Sequence, residues 1–155
     1  MARIKRLFGT SCLRSQQGGV ALEMALLLPI LLLLVFGLVD FGHAWYMKTE
    51  LTTASREGAR YATRYQTYPG GTTHILPNAL NPSVSNWVTT KYQPLLPSDA
   101  NLTVSPGGPG YTSGLAGDDI TVTVTARKNW LVIGRLIPGW GNYVDISVST
   151  VMKCE

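Results

Sequence analysis

Few residues in this chain are equipped for covalent or metal chemistry, and their spacing argues against it. His43 and His74 are the only histidines, and Cys12 and Cys154 the only cysteines, among 155 residues. Neither histidine has a companion at metal-ligand spacing. No Cys/His or Ser/His/Asp arrangement stands out. Asp118-Asp119, at the entry to an alternating segment, reads as a turn or edge feature. The glycine-rich stretch Pro106 to Gly117, PGGPGYTSGLAG, lacks the Gly-Lys-Ser/Thr ending of a phosphate-binding loop. The expectation is a protein without catalytic residues, cofactor or metal. Two cysteines at opposite ends define no disulfide framework. Cys154 reads as an unpaired thiol near a loose C-terminus rather than a bridge to another chain.

The chemistry that the residues do support is electrostatic. Glu23 precedes a run from Met24 to Val39, MALLLPILLLLVFGLV, that holds no charge over 16 residues. Counted from Gly19, the stretch reaches 21 residues, and about 20 at 1.5 Å each cross a bilayer. A carboxylate at the edge of lipid is costly, so Glu23 is a functional candidate; its bland alternative is a group resting at headgroup level. Downstream, Arg56, Arg60 and Arg64 recur every four residues, with Glu57 three before Arg60. That face is either simply solvated or a docking surface for an acidic partner.

Charge placement orients the chain. Hydrophobic residues make up 45% and charged residues only 14%, below the quarter usual in soluble domains. The net charge is +4 and the pI about 9.2. Four of the thirteen basic residues, Arg3, Lys5, Arg6 and Arg14, fall in the first 18 positions without an acid, and the nine left balance nine acidic ones. A basic tail before an apolar run predicts a cytoplasmic N-terminus. A basic tail is not a basic folded face, so no nucleic-acid partner is expected.

The elements that position these groups follow from periodicity. The apolar run has no polar face, as a membrane helix would not. Pro29 removes an N–H and predicts a kink or local opening, tolerated where other helices pack. Met47, Leu51, Ala54, Gly58, Tyr61 and Tyr65 share one helical face, which extends the helix to about residue 66. Ala54, Gly58 and Ala62 form a small-residue strip that admits close approach of another helix or sheet. Residues 67–81 read as a linker, and Asn81-Pro82 as the N-cap and first position of a helix ending near Tyr92. Leu102–Ser105, Ile120–Ala126 and Val144–Thr150 read as strands, the last two by strict alternation. The apolar connection Trp130 to Trp140, accompanied by Arg127, Lys128 and Arg135, either closes over the sheet as core, the favoured reading, or touches a membrane or partner.

Around the membrane entry the order is basic tail, Gly18, four small or apolar residues from Gly19 to Leu22, Glu23, then an apolar helix with Leu28-Pro29. Asp40-Phe41-Gly42 and Ala54-Ser-Arg-Glu-Gly-Ala-Arg60-Tyr-Ala62 follow. This ordered set resembles the TadE/TadG-like minor pilins (pseudopilins) of the tight-adherence (Tad/Flp) pilus system. Residues about 15–65 carry most of the resemblance, and Ile146–Glu155 is similar less specifically; about 67–118 resembles nothing recognisable. The resemblance implies that a prepilin peptidase cuts between Gly18 and Gly19, and that Glu23 becomes the fifth residue of the mature chain. Its implied partner is the new ammonium of Gly19. Gly19 departs from the phenylalanine common in type IV pilins but fits the small-residue habit of TadE-like proteins.

The expected architecture is therefore α+β. A long N-terminal helix, half transmembrane and half projecting, packs on a small antiparallel sheet with one short extra helix. The expected divisions are a cytoplasmic leader 1–18, a transmembrane helix 19–41, a periplasmic extension 42–66 and a periplasmic α+β region 67–155. The implied role is assistance in Tad pilus assembly at a bacterial inner membrane, with the peptidase and other pilin-like proteins as partners. The alternatives are an uncleaved bitopic envelope scaffold, a membrane-tethered periplasmic enzyme, and a secreted domain cut after a poor site at Gly42-His43-Ala44.

Overall fold

A computed structural model describes residues 16–64, 66–136, 139 and 141–154. Cys12, the basic leader, Tyr65, Ile137, Pro138 and Trp140, on which expectations were stated, lie outside the described residues.

Helix α1 spans Gln16–Thr63, 48 residues, and passes through Pro29 without a break in its assignment. It begins slightly before and ends slightly before the bounds read from periodicity. The chain divides between Val35 and Phe36. The first unit is the N-terminal part of α1, whose apolar side chains are all exposed; α1 is long and apolar enough to cross a membrane.

The second unit, Phe36–Glu155, contains everything else. After α1, Thr67 and His74 form an isolated bridge, and Pro77–Ala79 makes a turn of 3₁₀-helix. So the stretch expected to be plain linker is partly organised, with Pro77 and Leu80 buried. Helix α2 spans Val84–Tyr92. Its N-cap is Ser83, whose hydroxyl accepts from the Asn86 N–H at 3.3 Å, and not Asn81. Asn81 and Pro82 are joined by a cis peptide just outside the helix. Two further helical turns, α3 (Pro109–Ser113) and α4 (Ile133–Leu136), stand where loops were expected.

Strands β1 (Thr103–Gly107), β2 (Asp119–Asn129) and β3 (Tyr143–Lys153) form an antiparallel sheet in the order β1-β2-β3. The long central strand follows from its alternation. Ile120, Val122, Val124 and Ala126 are fully buried, while Thr121, Thr123 and Thr125 point to the half-exposed face. On that outer face Thr123 donates to Ser149 at 3.2 Å and Thr125 to Ser147 at 3.0 Å, rungs that fix the β2–β3 register.

The buried face of β2 meets Met47, Leu51, Ala54, Ala59 and Ala62 of α1 and Val84, Val88 and Tyr92 of α2 in one core. Small side chains on α1 let the helix lie close to the sheet. A Cβ placed on Gly58 would stand 2.8 Å from Val88 Cγ2 and 3.3 Å from Val122 Cγ1. Ser55, also buried, donates to the Val122 carbonyl at 2.7 Å and so pins helix to strand with a satisfied polar group. The α+β expectation holds: a long helix packs on a three-stranded antiparallel sheet with short extra helices.

Candidate functional site

Chemistry-bearing residues gather in three places, and each is set by the period of the element that carries it.

At the start of α1, Gly18 and Gly19 sit in the first turns with no atom crowding either Cα. Glu23 lies four residues beyond Gly19, on the same face one turn later. It is flanked by exposed Leu22, Leu26 and Leu27. A backbone amine generated at Gly19 would therefore stand beside the Glu23 carboxylate along the helix.

The second gathering is a groove between α1 and α2, with a volume of about 260 Å³, lined by Glu57, Arg60, Tyr61, Arg64, Trp87 and Lys91. Its wall is built rigidly. The rings of Tyr61 and Trp87 stack with centroids 4.9 Å apart and planes at 3°. The Tyr61 hydroxyl donates to the Pro82 carbonyl at 2.9 Å. Lys91 lies 5.0 Å over Trp87 and pairs with Glu57. That pair, with a further hydrogen bond from Tyr92, holds the Glu57 carboxyl below its usual range. Burial, and then the Glu57 carboxylate, push the Tyr92 phenol up to about 12. Arg60 and Arg64 are exposed on the rim. Arg56 is exposed as well but does not line the groove, so the three-arginine row is divided. The strip Ala54, Gly58 and Ala62 is not a surface for another chain here: all three are buried against this chain's own core.

The third gathering was not foreseen. Lys128 continues the alternation of β2 and so falls on the core face, where it is only 1% exposed. Asp40 of α1, also fully buried, receives its ammonium at 3.2 Å. The Asp40 carboxylate further accepts the backbone N–H groups of Leu131 at 3.0 Å, Val132 at 3.0 Å and Ile133 at 3.3 Å. Those are free donors at the beginning of α4, so one side chain satisfies three of them and ties the β2–β3 connection to α1. Among the described residues no buried side-chain polar atom lacks a partner. A cleft of about 220 Å³ beside this latch is lined by His43, Met47, Asp99, Lys128, Trp130 and Leu131 among others. The connection does not close over the sheet as core at Leu131, which is 61% exposed. The backbone bonds to Asp40 fix Leu131 outward.

Cys154 is a free, buried thiol, and the C-terminus is not loose at that point. Its N–H donates to the Asp118 carbonyl at 2.9 Å, its carbonyl accepts from Gly117 at 3.0 Å, and its thiol faces Gly110 O at 3.7 Å. Burial, and then nearby Asp118, push the thiol's pKa up. Among the described residues no group of three or more His, Cys, Asp or Glu side chains converges as a metal site would require.

No match was found among curated proteins or among solved structures. The family model described as TadE-like protein matches residues 18–60. Its bounds run from the glycine pair through the apolar segment, Asp40 and the Arg56–Arg60 stretch of α1. Over residues 18–60 the N-terminal helix is thus similar to the TadE-like family, consistent with the TadE/TadG-like pilins of the Tad pilus system.

Proposed function

We propose that the chain is a minor pilin-like (pseudopilin) membrane protein that assists assembly of a Tad-type pilus after a prepilin peptidase cuts between Gly18 and Gly19. The observation that carries this is the coincidence of the TadE-like match, beginning at Gly18, with a helix apolar enough to span a membrane. The helical start is compatible with cleavage. A peptidase needs an extended peptide, and two adjacent glycines lower the cost of unwinding the first turn by about 1 kcal/mol each relative to alanine.

In this reading residues 1–18 are a cytoplasmic leader, 19–41 the membrane span, 42–66 its periplasmic extension and 67–155 the periplasmic α+β region of a single-pass inner-membrane protein. Glu23 pairs with the Gly19 ammonium of its own or a neighbouring chain, which compensates a carboxylate in lipid. Pro29 marks where neighbouring helices cover a freed carbonyl. The groove rimmed by Arg60 and Arg64 receives an acidic group of another pilin-like subunit, and Arg56 extends its positive field.

The N-terminal sequence of the protein recovered from membranes tests the reading. A start at Gly19 is expected, with Gly18→Arg left unprocessed. A start at Met1 assigns an uncleaved scaffold, and a start at Trp45 a secreted domain. Normal processing of Gly18→Arg removes the assigned cut.

A further inference from the structure

The Asp40 latch puts an apolar side chain where an ordinary surface would carry a polar one. Within the Phe36–Glu155 unit, Leu38 is 65%, Val39 51%, Phe41 63%, Trp45 63% and Leu131 61% exposed. Single exposed apolar residues are ordinary on protein surfaces. These five share one level. Leu38, Val39, Phe41 and Trp45 are consecutive or nearly so along α1, within about 10 Å at 1.5 Å per residue. Leu131 comes from a segment 91 residues away, yet its backbone N–H is bonded to Asp40, the residue that follows Val39. Ile133 reaches α1 as well, its Cδ1 3.9 Å from a Cβ placed on Gly37. The β2–β3 connection is thus held at the last turn of the uncharged run.

We propose that Leu131, together with Phe41 and Trp45, beds in the boundary between lipid headgroups and acyl chains, giving the α+β region a second contact with the membrane beside the helix. This rests on the reading of α1 as a membrane span. The occupant is lipid because the patch is continuous with the uncharged run and carries the chemistry of an interface. Phe41 and Trp45 lie with their rings tilted at 36° and 6.3 Å between centroids, two exposed aromatics at the level where an aromatic belt would stand. Lys48, three residues farther along α1, brings its ammonium to 6.0 Å of the Trp45 ring, a place from which it would reach lipid phosphate oxygens. The buried Asp40–Lys128 pair gives the contact its height: four donors, Lys128 and the N–H groups of Leu131, Val132 and Ile133, hold the loop to Asp40 of the helix. The consequence is that the α+β region touches the bilayer at this loop as well as through the helix that tethers it.

The test places an environment-sensitive fluorophore on single cysteines of the full chain carrying Cys12→Ser. The parent that keeps only buried Cys154 serves as the blank. Labels go at Leu131→Cys, at Leu31→Cys within the span and at Thr73→Cys beyond the end of α1. The chain is reconstituted at low density in vesicles of phosphatidylethanolamine and phosphatidylglycerol, with either nitroxide-labelled phosphatidylcholine in the bilayer or iodide in the water. The Leu131 label is expected to be quenched by the nitroxide lipid at least about three-fold more than the Thr73 label, and less by iodide, as for a face bedded several ångströms deep. A Leu131 label that behaves like Thr73 while Leu31 remains lipid-quenched overturns the contact and leaves the span intact. Shielding of Leu131 from both quenchers assigns the patch to a protein neighbour and also overturns it. A Leu31 label in water overturns the span and this contact together.

Discussion

Asp40 and Lys128 carry the least replaceable interaction in the molecule, and the two halves are not equivalent. Asp40 serves four donors, three of them part-buried backbone N–H groups that lose their acceptor if it is removed. Lys128 serves two acceptors, the Asp40 carboxylate and the Asn129 carbonyl. Asp40→Ala therefore leaves a buried ammonium and three orphaned amides, a loss of about 3–5 kcal/mol in urea unfolding of the full chain in detergent micelles. Lys128→Met keeps the volume and leaves Asp40 its three amides, so its loss should be smaller by about 2 kcal/mol. Equal losses would mean that the loop is held by something other than this carboxylate. The pair was within reach of sequence reasoning. Alternation from Ile120 to Ala126, carried one step further, puts a lysine on the core face, and a buried lysine demands an acid. Asp40 lies seven residues before Met47, on the same helical face as Met47 and Leu51. Hidden from the sequence was the loop: nothing in Leu131-Val-Ile announces that its amides would turn toward a carboxylate 91 residues earlier.

At the scale of elements, α1 works because it can pack closely on β2 and α2, and Gly58 faces both of them. Gly58→Ala gains about 1 kcal/mol of helix propensity. It also drives a methyl to 2.8 Å from Val88 Cγ2 and 3.3 Å from Val122 Cγ1, both on β-branched side chains that are stiff at χ1. Overpacking of this kind costs about 1–3 kcal/mol, so the net change should be a loss of about 1 kcal/mol in the unfolding midpoint. Combining it with Val88→Ala should cost less than the two single changes added together, since the methyl then enters the vacated space. Strict additivity would count against close packing at this point. The Ala54-Gly58-Ala62 spacing made the strip visible in the sequence, but not which surface it serves. Small residues at every fourth position permit approach by any element, and the helix's own sheet took the place. Strands showed plainly wherever apolar and threonine residues alternate. Ser83 was missed as the N-cap because Asn81-Pro82 offers the same signal two residues earlier, and only the chain's path decides which hydroxyl or amide faces the free N–H groups.

At the scale of the whole molecule the proposed function gives the groove beside Arg60 and Arg64 the task of receiving another subunit. Its arginines come from α1, but its aromatic wall and Lys91 come from α2, so periodicity in one element could supply only half of it. The sequence of residues 67–118 resembled no known segment, and that region brings Trp87 and Lys91 to the site. Two exposed guanidiniums beside a fixed ring stack attract a carboxylate without reorganising, and the neighbouring Glu57 is already committed to Lys91. The double change Arg60→Glu/Arg64→Glu reverses the rim while leaving the core untouched. Its stability should move by no more than about 0.5 kcal/mol, as is usual for exposed positions. Pilus yield in the native bacterium should fall about tenfold at unchanged protein level in the membrane, because two like charges now oppose the acidic partner. The Arg60→Lys/Arg64→Lys control keeps the charge but not the planar fork and should fall between the two. Full pilus yield with both charges reversed would remove the groove from assembly. Loss of the protein itself would instead show that these arginines serve folding.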